Sequence, residues 1–519
     1  MKWQNSPLLR LVLPFTLGMV GAILLPAPPN PQTLFILSST ALALTHHYVK
    51  TAPTHQSHKF GIAATLLYAL IGMTLHTAKQ QRITQGTPPD THPIQGILAE
   101  PPQEKAKTWA LNLMQDNGTH IIVYIGKERG KEEGKIASLQ AGDTILARIR
   151  HLAPTESGGG IFAKYRRYLF HQDICATAYA PPHQWQVKPR HATPGILQSF
   201  KDLQEKLHHI YEANGISQEA SSIIEAMTIG RKGEIPKATR TAYARAGISH
   251  VLALSGFHVG IIAMMMQFFF LKKMLPRRWQ WVSNTLIIAA LWCYALMTGM
   301  SPSLVRAVIM FSLLLLSQML SRENITLNSC ALAFFLMLCI NPFLLHDIGF
   351  QLSFISVCSI SLFNKQLIRT CPSRSPFILT LWTTIGITFI CSLFTAPLVA
   401  HHFGNIPILS IISNLAILPF VYLLMWGSIL WWTFLWSPSI NAVLTELLNW
   451  TATTMNSITE TIATLPFSTI EWHPDALVTL LCYTALLILT LGLQKYSPTT
   501  QSPINNNIFS HIRRHIHKK

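Results

Sequence analysis

Residues 247–260 read Gly247-Ile248-Ser249-His250-Val251-Leu252-Ala253-Leu254-Ser255-Gly256-Phe257-His258-Val259-Gly260. The stretch opens a long apolar segment, yet it carries two histidines, two serines and three glycines. Polar side chains are costly in hydrocarbon, so in a membrane helix they face protein or a water-filled cavity. Gly256 and Gly260 have the GxxxG spacing that lets two helices approach closely. His250, Ser255 and His258 therefore either line a wetted path or seal a tight helix contact, and this stretch alone weighs evenly between the two.

The surrounding composition makes lipid the solvent. The 519-residue chain is 49% apolar and 12% charged, about half the charged share of a soluble domain. Apolar segments of spanning length fall near residues 8–25, 32–48 and 59–77. More follow near 250–271, 281–298, 303–320, 327–344, 349–364, 377–400, 407–436 and 476–494. The reading is a polytopic α-helical membrane protein of about 10–12 spans. Residues 439–463 look amphipathic rather than spanning. Asn414 and Pro419 interrupt residues 407–436, which are expected to break there into a hairpin. The opening segment lacks a small-x-small cleavage site and reads as an anchor.

Residues 83–190 differ in kind. Short alternating runs, Ile94 to Leu98, His120 to Ile125, Thr144 to Ile149 and Ile174 to Ala178, are separated by Asp116-Asn117-Gly118, Ala141-Gly142-Asp143 and Ser157-Gly158-Gly159-Gly160. Period-two runs between turn residues predict strands. Their number suits an inserted small β-barrel, OB-fold-like, or another compact β domain without a ligand. The chain thus divides into three N-terminal spans (1–82), this β domain (83–190), amphipathic interfacial helices (191–245, with Phe200, Leu203, Leu207 and Ile210 at helical spacing), a multi-span core (246–495) and a basic tail (496–519).

Charge sets an orientation and a candidate partner. Residues 1–82 hold six Lys/Arg and no acid, and the net charge of the chain is +18. Lys2, Arg10, Lys50 and Lys59 place their loops inside by the positive-inside rule, so three spans deliver residues 83–190 to the outer face. The loops at Lys272-Lys273 with Arg277-Arg278 and at Lys365, Arg369 and Arg374, and the tail with Arg513-Arg514 and Lys518-Lys519, fall inside if residues 407–436 form a hairpin. The basic excess is explained by such loops, or by a path for a polyanion; composition favours the loops.

Other residues carry chemistry more weakly. Arg306 lies one turn inside a span and either serves function or snorkels outward. Asp347 caps the next helix, and Gln351 and Ser353 then enter the membrane and need partners. In the β domain, Phe162, Tyr165, Tyr168 and Phe170 interleave with Lys164, Arg166 and Arg167, as in single-strand binders and on many ordinary surfaces. Enzyme signatures are sparse. Gly130-Lys131-Glu132-Glu133-Gly134-Lys135 is short of a P-loop. Leu254-Ser255-Gly256 lacks the glycine that precedes an esterase nucleophile, and His346, His401 and His402 match a base by type only. Eight scattered cysteines show no CxxC or zinc spacing. No catalytic residue, metal or cofactor is expected.

The ordered set resembles the ComEC family of competence membrane proteins. Residues 247–260 look like that family's hallmark. Tyr294 through Thr298-Gly299 to Arg306-Ala307, Asn341-Pro342 with Asp347-Ile348-Gly349-Phe350-Gln351-Leu352-Ser353-Phe354, and Pro397, Phe403, Asn414 and Pro419 follow in order. Gly159-Gly160-Ile161-Phe162, Tyr165 and Tyr168-Leu169 are similar in the β domain. The resemblance implies an inner-membrane channel that passes single-stranded DNA into the cytoplasm during natural transformation. It implies as partners a periplasmic DNA receptor, a cytoplasmic ATPase or helicase, a separate nuclease and the lipid bilayer. Many members end in a metallo-β-lactamase-like domain; this chain stops soon after its last span, so nuclease activity is not expected of it. The route would be lined by His250, Ser255, Gly256, His258, Gly260, Arg306, Gln351, Ser353 and Asn414, with Arg231 and Lys232 attracting phosphates at the mouth. The alternatives are a small-molecule or ion-coupled transporter and an intramembrane serine hydrolase using Ser255.

Overall fold

The computed structural model describes residues 7–25, 29–51, 57–88, 93–127, 135–136, 138–155, 162–188, 196–231, 235–269, 276, 279–319, 326–373 and 375–496. Lys232, the near-P-loop glycines, the Ser157–Gly160 turn, Lys272-Lys273, Arg277-Arg278, Arg374 and the basic tail lie outside them.

Three helices open the chain: α1 (Pro7–Leu24), α2 (Pro31–Thr51) and α3 (Ser57–Gln85). Glycines on α1 and α3 bring the two backbones together. A Cβ at Gly18 would fall on the Ala69 carbonyl, and one at Gly72 on the Phe15 carbonyl. Phe15 and Met19 then pack on residues 330–354 of the later helices, so the N-terminal segment is part of the helical body.

Eight strands follow: β1 (Ile94–Leu98), β2 (Gln103–Glu104), β3 (Thr108–Met114), β4 (His120–Gly126), β5 (Thr144–Ala147), β6 (His151–Pro154), β7 (Ile174–Ala180) and β8 (Trp185–Lys188), with α4 (Ala163–His171) between β6 and β7. They form one sheet in the order β6-β7-β4-β3-β1-β5-β8, with β2 on β3. All pairs are antiparallel except β4 with β7. The alternation along β4 (Ile121, Val123 and Ile125 buried) puts one face on a core shared with Leu111, Leu113, Ile145 and Ala176. The small β unit is therefore present, but among the described residues no strand pairing closes it into a barrel. The aromatic and basic run at residues 162–170, to which no element was assigned from the sequence, forms α4. Leu169 and Phe170 supply it with a buried face, and Phe162, Tyr165 and Tyr168 recur at the three-residue interval of a helix side.

The remaining helices are α5 (Ile196–Ala213), α6 (Gln218–Thr228), α7 (Lys237–Arg245), α8 (Ser249–Leu252), α9 (Gly256–Phe269), α10 (Gln280–Met297), α11 (Pro302–Met319), α12 (Thr326–Ile340), α13 (Ile348–Arg369), α14 (Pro376–Phe403), α15 (Ser410–Thr433), α16 (Pro438–Thr464) and α17 (Ala476–Tyr496). By length and composition six segments can cross a membrane: Lys59–Gln85, Gln280–Met297, Pro302–Met319, Ile348–Arg369, Pro376–Phe403 and Ser410–Thr433. Four shorter apolar helices, Leu8–Leu24, Gly256–Phe269, Leu327–Ile340 and Ala476–Gly492, accompany them. The chain is a multi-pass helical membrane protein.

One local expectation is corrected. Residues 407–436 do not make a hairpin: α15 runs unbroken through Pro419. A proline removes one backbone donor, and neighbouring helices tolerate that inside a bundle. Loop charges can thus no longer all be placed on one side by that device. Within residues 191–245, every residue of α6 from Ala220 to Thr228 is buried, and Tyr211 of α5 stacks on Trp431 at 4.9 Å.

The glycine contact between α1 and α3 yields a direct check. Gly18→Ala should push the helices apart and cost about 1–3 kcal/mol, read as a lower melting temperature of the detergent-solubilised protein. Gly61→Ala, where an added Cβ meets nothing within 4 Å, should leave it unchanged.

Candidate functional site

The polar residues of the core segment gather around two helix starts. At α9, Ser255 stands just before the first turn. Its Oγ lies 3.1 Å from His258 Nδ1, and its backbone N–H donates to the same nitrogen at 3.3 Å. The side chain three residues on bonding back to the Ser255 N–H is one half of a capping box, with histidine in the place usually held by Glu or Gln. His258 is 0% exposed. Because Nδ1 already accepts the Ser255 backbone N–H, it is committed to the helix start. Gly256 and Gly260 face α11: added Cβ atoms would meet Ala307 at 3.6 Å and Phe311 at 3.4 Å. The GxxxG pattern is thus a helix contact in this conformation. His250, on the short α8, is exposed.

At α13, Asp347 is the cap, accepting from the Phe350 N–H at 2.6 Å. Its Oδ1 also lies 3.5 Å from Arg306 Nη1 of α11. Arg306 is 3% exposed, so it does not snorkel outward. A Cβ at Gly349 would sit 3.4 Å from Arg306 Nη2, so glycine leaves room for the guanidinium against the helix start. Gln351 turns back and donates to the Leu345 carbonyl at 2.7 Å. Arg306, Asp347 and Gln351 thus come together. Ser353 and Asn414 are half-buried on α13 and α15.

A third polar group was not singled out from the sequence. Glu225 of α6 is 1% exposed and accepts from His208 Nδ1 at 2.9 Å. Arg231 Nε is 3.6 Å from its other oxygen. The N–H groups of Gly230 and Arg231 bond to the Glu225 backbone carbonyl, and Gln204 donates to the Ile229 carbonyl. Arg231 therefore answers an internal carboxylate. The available signal was one acid inside the apolar run Ile223-Ile224-Glu225-Ala226-Met227.

On the β unit, Phe162, Tyr165 and Tyr168 stand exposed along one side of α4, with Lys164 and Arg167 exposed beside them and Arg166 half-buried. Tyr165 and Tyr168 stack at 6.4 Å. Phe170 belongs to the other side and is buried. Of the histidines considered as bases for Ser255, His346 and His401 are engaged elsewhere, and His402 is exposed with its ring 4.9 Å from that of His401. His346 contacts His76 and His171, and His401 Nδ1 lies 2.9 Å from the Pro474 carbonyl. Among the described residues no group of His, Cys, Asp or Glu is arranged to hold a metal ion.

Two curated relatives align with parts of the chain. ComE operon protein 3 of Bacillus subtilis (strain 168) is 27% identical over 224 residues, 43% of this chain and 27% of that protein. An uncharacterized protein of Aquifex aeolicus (strain VF5) is 29% identical over 193 residues, 37% of this chain and 42% of that protein. The chain thus matches about a quarter and two fifths of their lengths. No solved structure matches significantly. The Competence protein family matches residues 227–496, the segment holding α9, Arg306, Asp347 and Gln351. With more than half of its length so matched, the chain belongs to the Competence protein family.

Proposed function

We propose that this protein conducts single-stranded DNA across the inner membrane into the cytoplasm during natural transformation. The observation that carries the reading is the buried Arg306 paired with the half-buried Asp347 inside a helical core of the Competence family. Ionised side chains in a spanning region are expensive and mark function by default. In the present conformation Arg306 and His258 are buried against internal partners and Asp347 is half-buried. The reading therefore takes this conformation as closed, and opening exchanges these internal partners for water and phosphate. A strand cannot cross lipid bare, because every phosphate is charged.

The β unit would lie on the outer face and receive the strand. Its one parallel pair, β4 with β7, and the run of chain from β5 into β6, which pair with β1 and β7, support an OB-like arrangement. The exposed aromatic and basic side of α4 has the chemistry of a single-strand platform: rings stack bases and cations track the backbone. Lys232 would contribute at the channel mouth, and Arg231 would do so only on leaving the Glu225 carboxylate it faces in this conformation. Force would come from a cytoplasmic ATPase or helicase pulling the strand; a periplasmic receptor would deliver it, and a separate nuclease would remove its complement.

The hydrolase alternative has one observation in its favour, the 3.1 Å Ser255–His258 contact. The capping role of Nδ1 accounts for it without a reaction. The transporter alternative would use Asp347 or His258 as titrating groups and requires solute flux in the absence of DNA.

Two outcomes test the channel reading. Arg306→Glu sets two carboxylates facing each other; it should lower transformation at least a hundredfold while the protein still reaches the membrane. Unimpaired transformation would remove Arg306 from the route. Tyr165→Ala with Tyr168→Ala should weaken binding of a fluorescent single-stranded oligonucleotide by the whole chain in nanodiscs about tenfold or more. Lys164→Ala with Arg167→Ala should flatten its salt dependence. Unchanged affinity and slope would leave α4 without a DNA role.

A further inference from the structure

Three histidines from distant parts of the sequence meet where the β unit joins the helices. His76 lies on α3, His171 ends α4, and His346 ends the short 3-10 turn Pro342–His346 between α12 and α13. His76 Nε2 is 3.4 Å from His346 Nε2. The His171 and His346 rings stack at 3.8 Å with 8° between planes. Phe343 closes the group, 5.3 Å from His76 and 5.5 Å from His171. Phe343 and Ile83 also belong to the β unit's own core, so the same few residues are shared by both units.

We infer that these three imidazoles form an acid-sensitive joint that holds the β unit against the helical core when neutral and releases it when protonated.

Two nitrogens at 3.4 Å can share one proton between neutral rings; two imidazolium ions at that distance repel. Stacked rings at 3.8 Å tolerate a second charge no better. The groups around them do not offset it. Arg167 of α4 adds a further positive charge. Lys79 of α3 is paired with Asp173 at 2.7 Å, and Asp347 is already shared between the Arg306 guanidinium and the start of α13. Arg166 of α4 is basic as well, and His120 of β4, 3.0 Å from the Asn112 side-chain oxygen, is held below its ordinary value by burial. Burial, then His346, His76 and Arg167, push His171 down to about 3. Burial, then Arg167, lowers His346.

The sign follows. A histidine whose value is depressed in the closed joint takes up a proton more readily once released. The closed form is thus favoured above the ordinary value of 6.5 and loses ground as pH falls below it. At about pH 5.5, each histidine that is neutral when closed and ordinary when released shifts the ratio towards release about tenfold. Other ties, the Lys79–Asp173 pair and the Arg82 bond to the Asn117 carbonyl at 2.7 Å, keep the chain tethered there. The joint stands whatever the chain conducts.

The test is hydrogen–deuterium exchange of the whole protein in nanodiscs, corrected for intrinsic rates, on peptides covering α4 and residues 342–350. Protection should fall about tenfold or more between about pH 7.5 and about pH 5.5. In His171→Phe with His346→Phe, which keeps flat rings without titrating nitrogens, the fall should shrink at least tenfold. Equal protection of the wild type at both pH values overturns the joint, as does an undiminished fall in the double variant. If that variant does not fold, imidazole nitrogen resonances of the wild type decide: His171 and His346 titrating near 6.5 in the closed protein would overturn it, and titration well below supports it. Loss of protection on adding a chelator at about pH 7.5 would also overturn it, because a bound cation would then be holding the imidazoles.

Discussion

Hydrocarbon around a helix bundle leaves each internal polar group one remedy, a partner inside the protein. This structure applies that remedy repeatedly. Arg306 meets Asp347, His258 takes both donors of Ser255, Gln351 returns to the Leu345 carbonyl, and Glu225 is answered by His208 and Arg231. Removing one member of a buried ion pair typically costs about 3–5 kcal/mol. The third of the Asp347 side chain that is exposed puts its pair towards the low end of that range. The same satisfaction that stabilises the bundle closes it, and any conducting state has to replace these contacts with hydrated ones.

These contacts cluster at helix starts. α9 begins on Ser255 and α13 on Asp347, and at each start the capping group is also the partner of a buried side chain. A helix N-terminus carries partial positive charge and unpaired N–H groups. Asp347 is therefore pulled two ways, by the Phe350 N–H and by the Arg306 guanidinium. Shifting α11 against α13 would exchange one for the other, a discrete step rather than a gradual deformation. The β unit attaches close by, through Phe343 and His346 in the turn that leads into Asp347, so movement of that unit and movement at Arg306 share a lever five residues long.

The sequence made the membrane character, the break at residues 83–190 and the polar segments readable, because lipid selects composition and strands alternate. Four strands were anticipated, β1, β4, β5 and β7; β2, β6 and β8 are too short to show alternation, and β3 was not anticipated, since Trp109-Ala110-Leu111-Asn112-Leu113 reads as readily as a buried helix turn. α4 was not anticipated: Phe162, Tyr165 and Tyr168 stood out only as rings interleaved with cations, and their helical interval of three was left unread. The cap at Asp347 was legible from its place before an apolar run. The pairing with Arg306 was not, because 41 residues separate them. The histidine joint left no trace at all: His76, His171 and His346 stand alone in sequence, and only the docking of the β unit collects them.

The central claim is that DNA crosses the membrane through this chain. It is tested most directly by deleting the gene from a transformable host and scoring labelled DNA in the cytoplasm separately from DNA held at the cell surface. The account predicts surface binding near wild-type levels with cytoplasmic label lost, restored by the wild-type chain. Cytoplasmic label at wild-type levels in the deletion strain would contradict it.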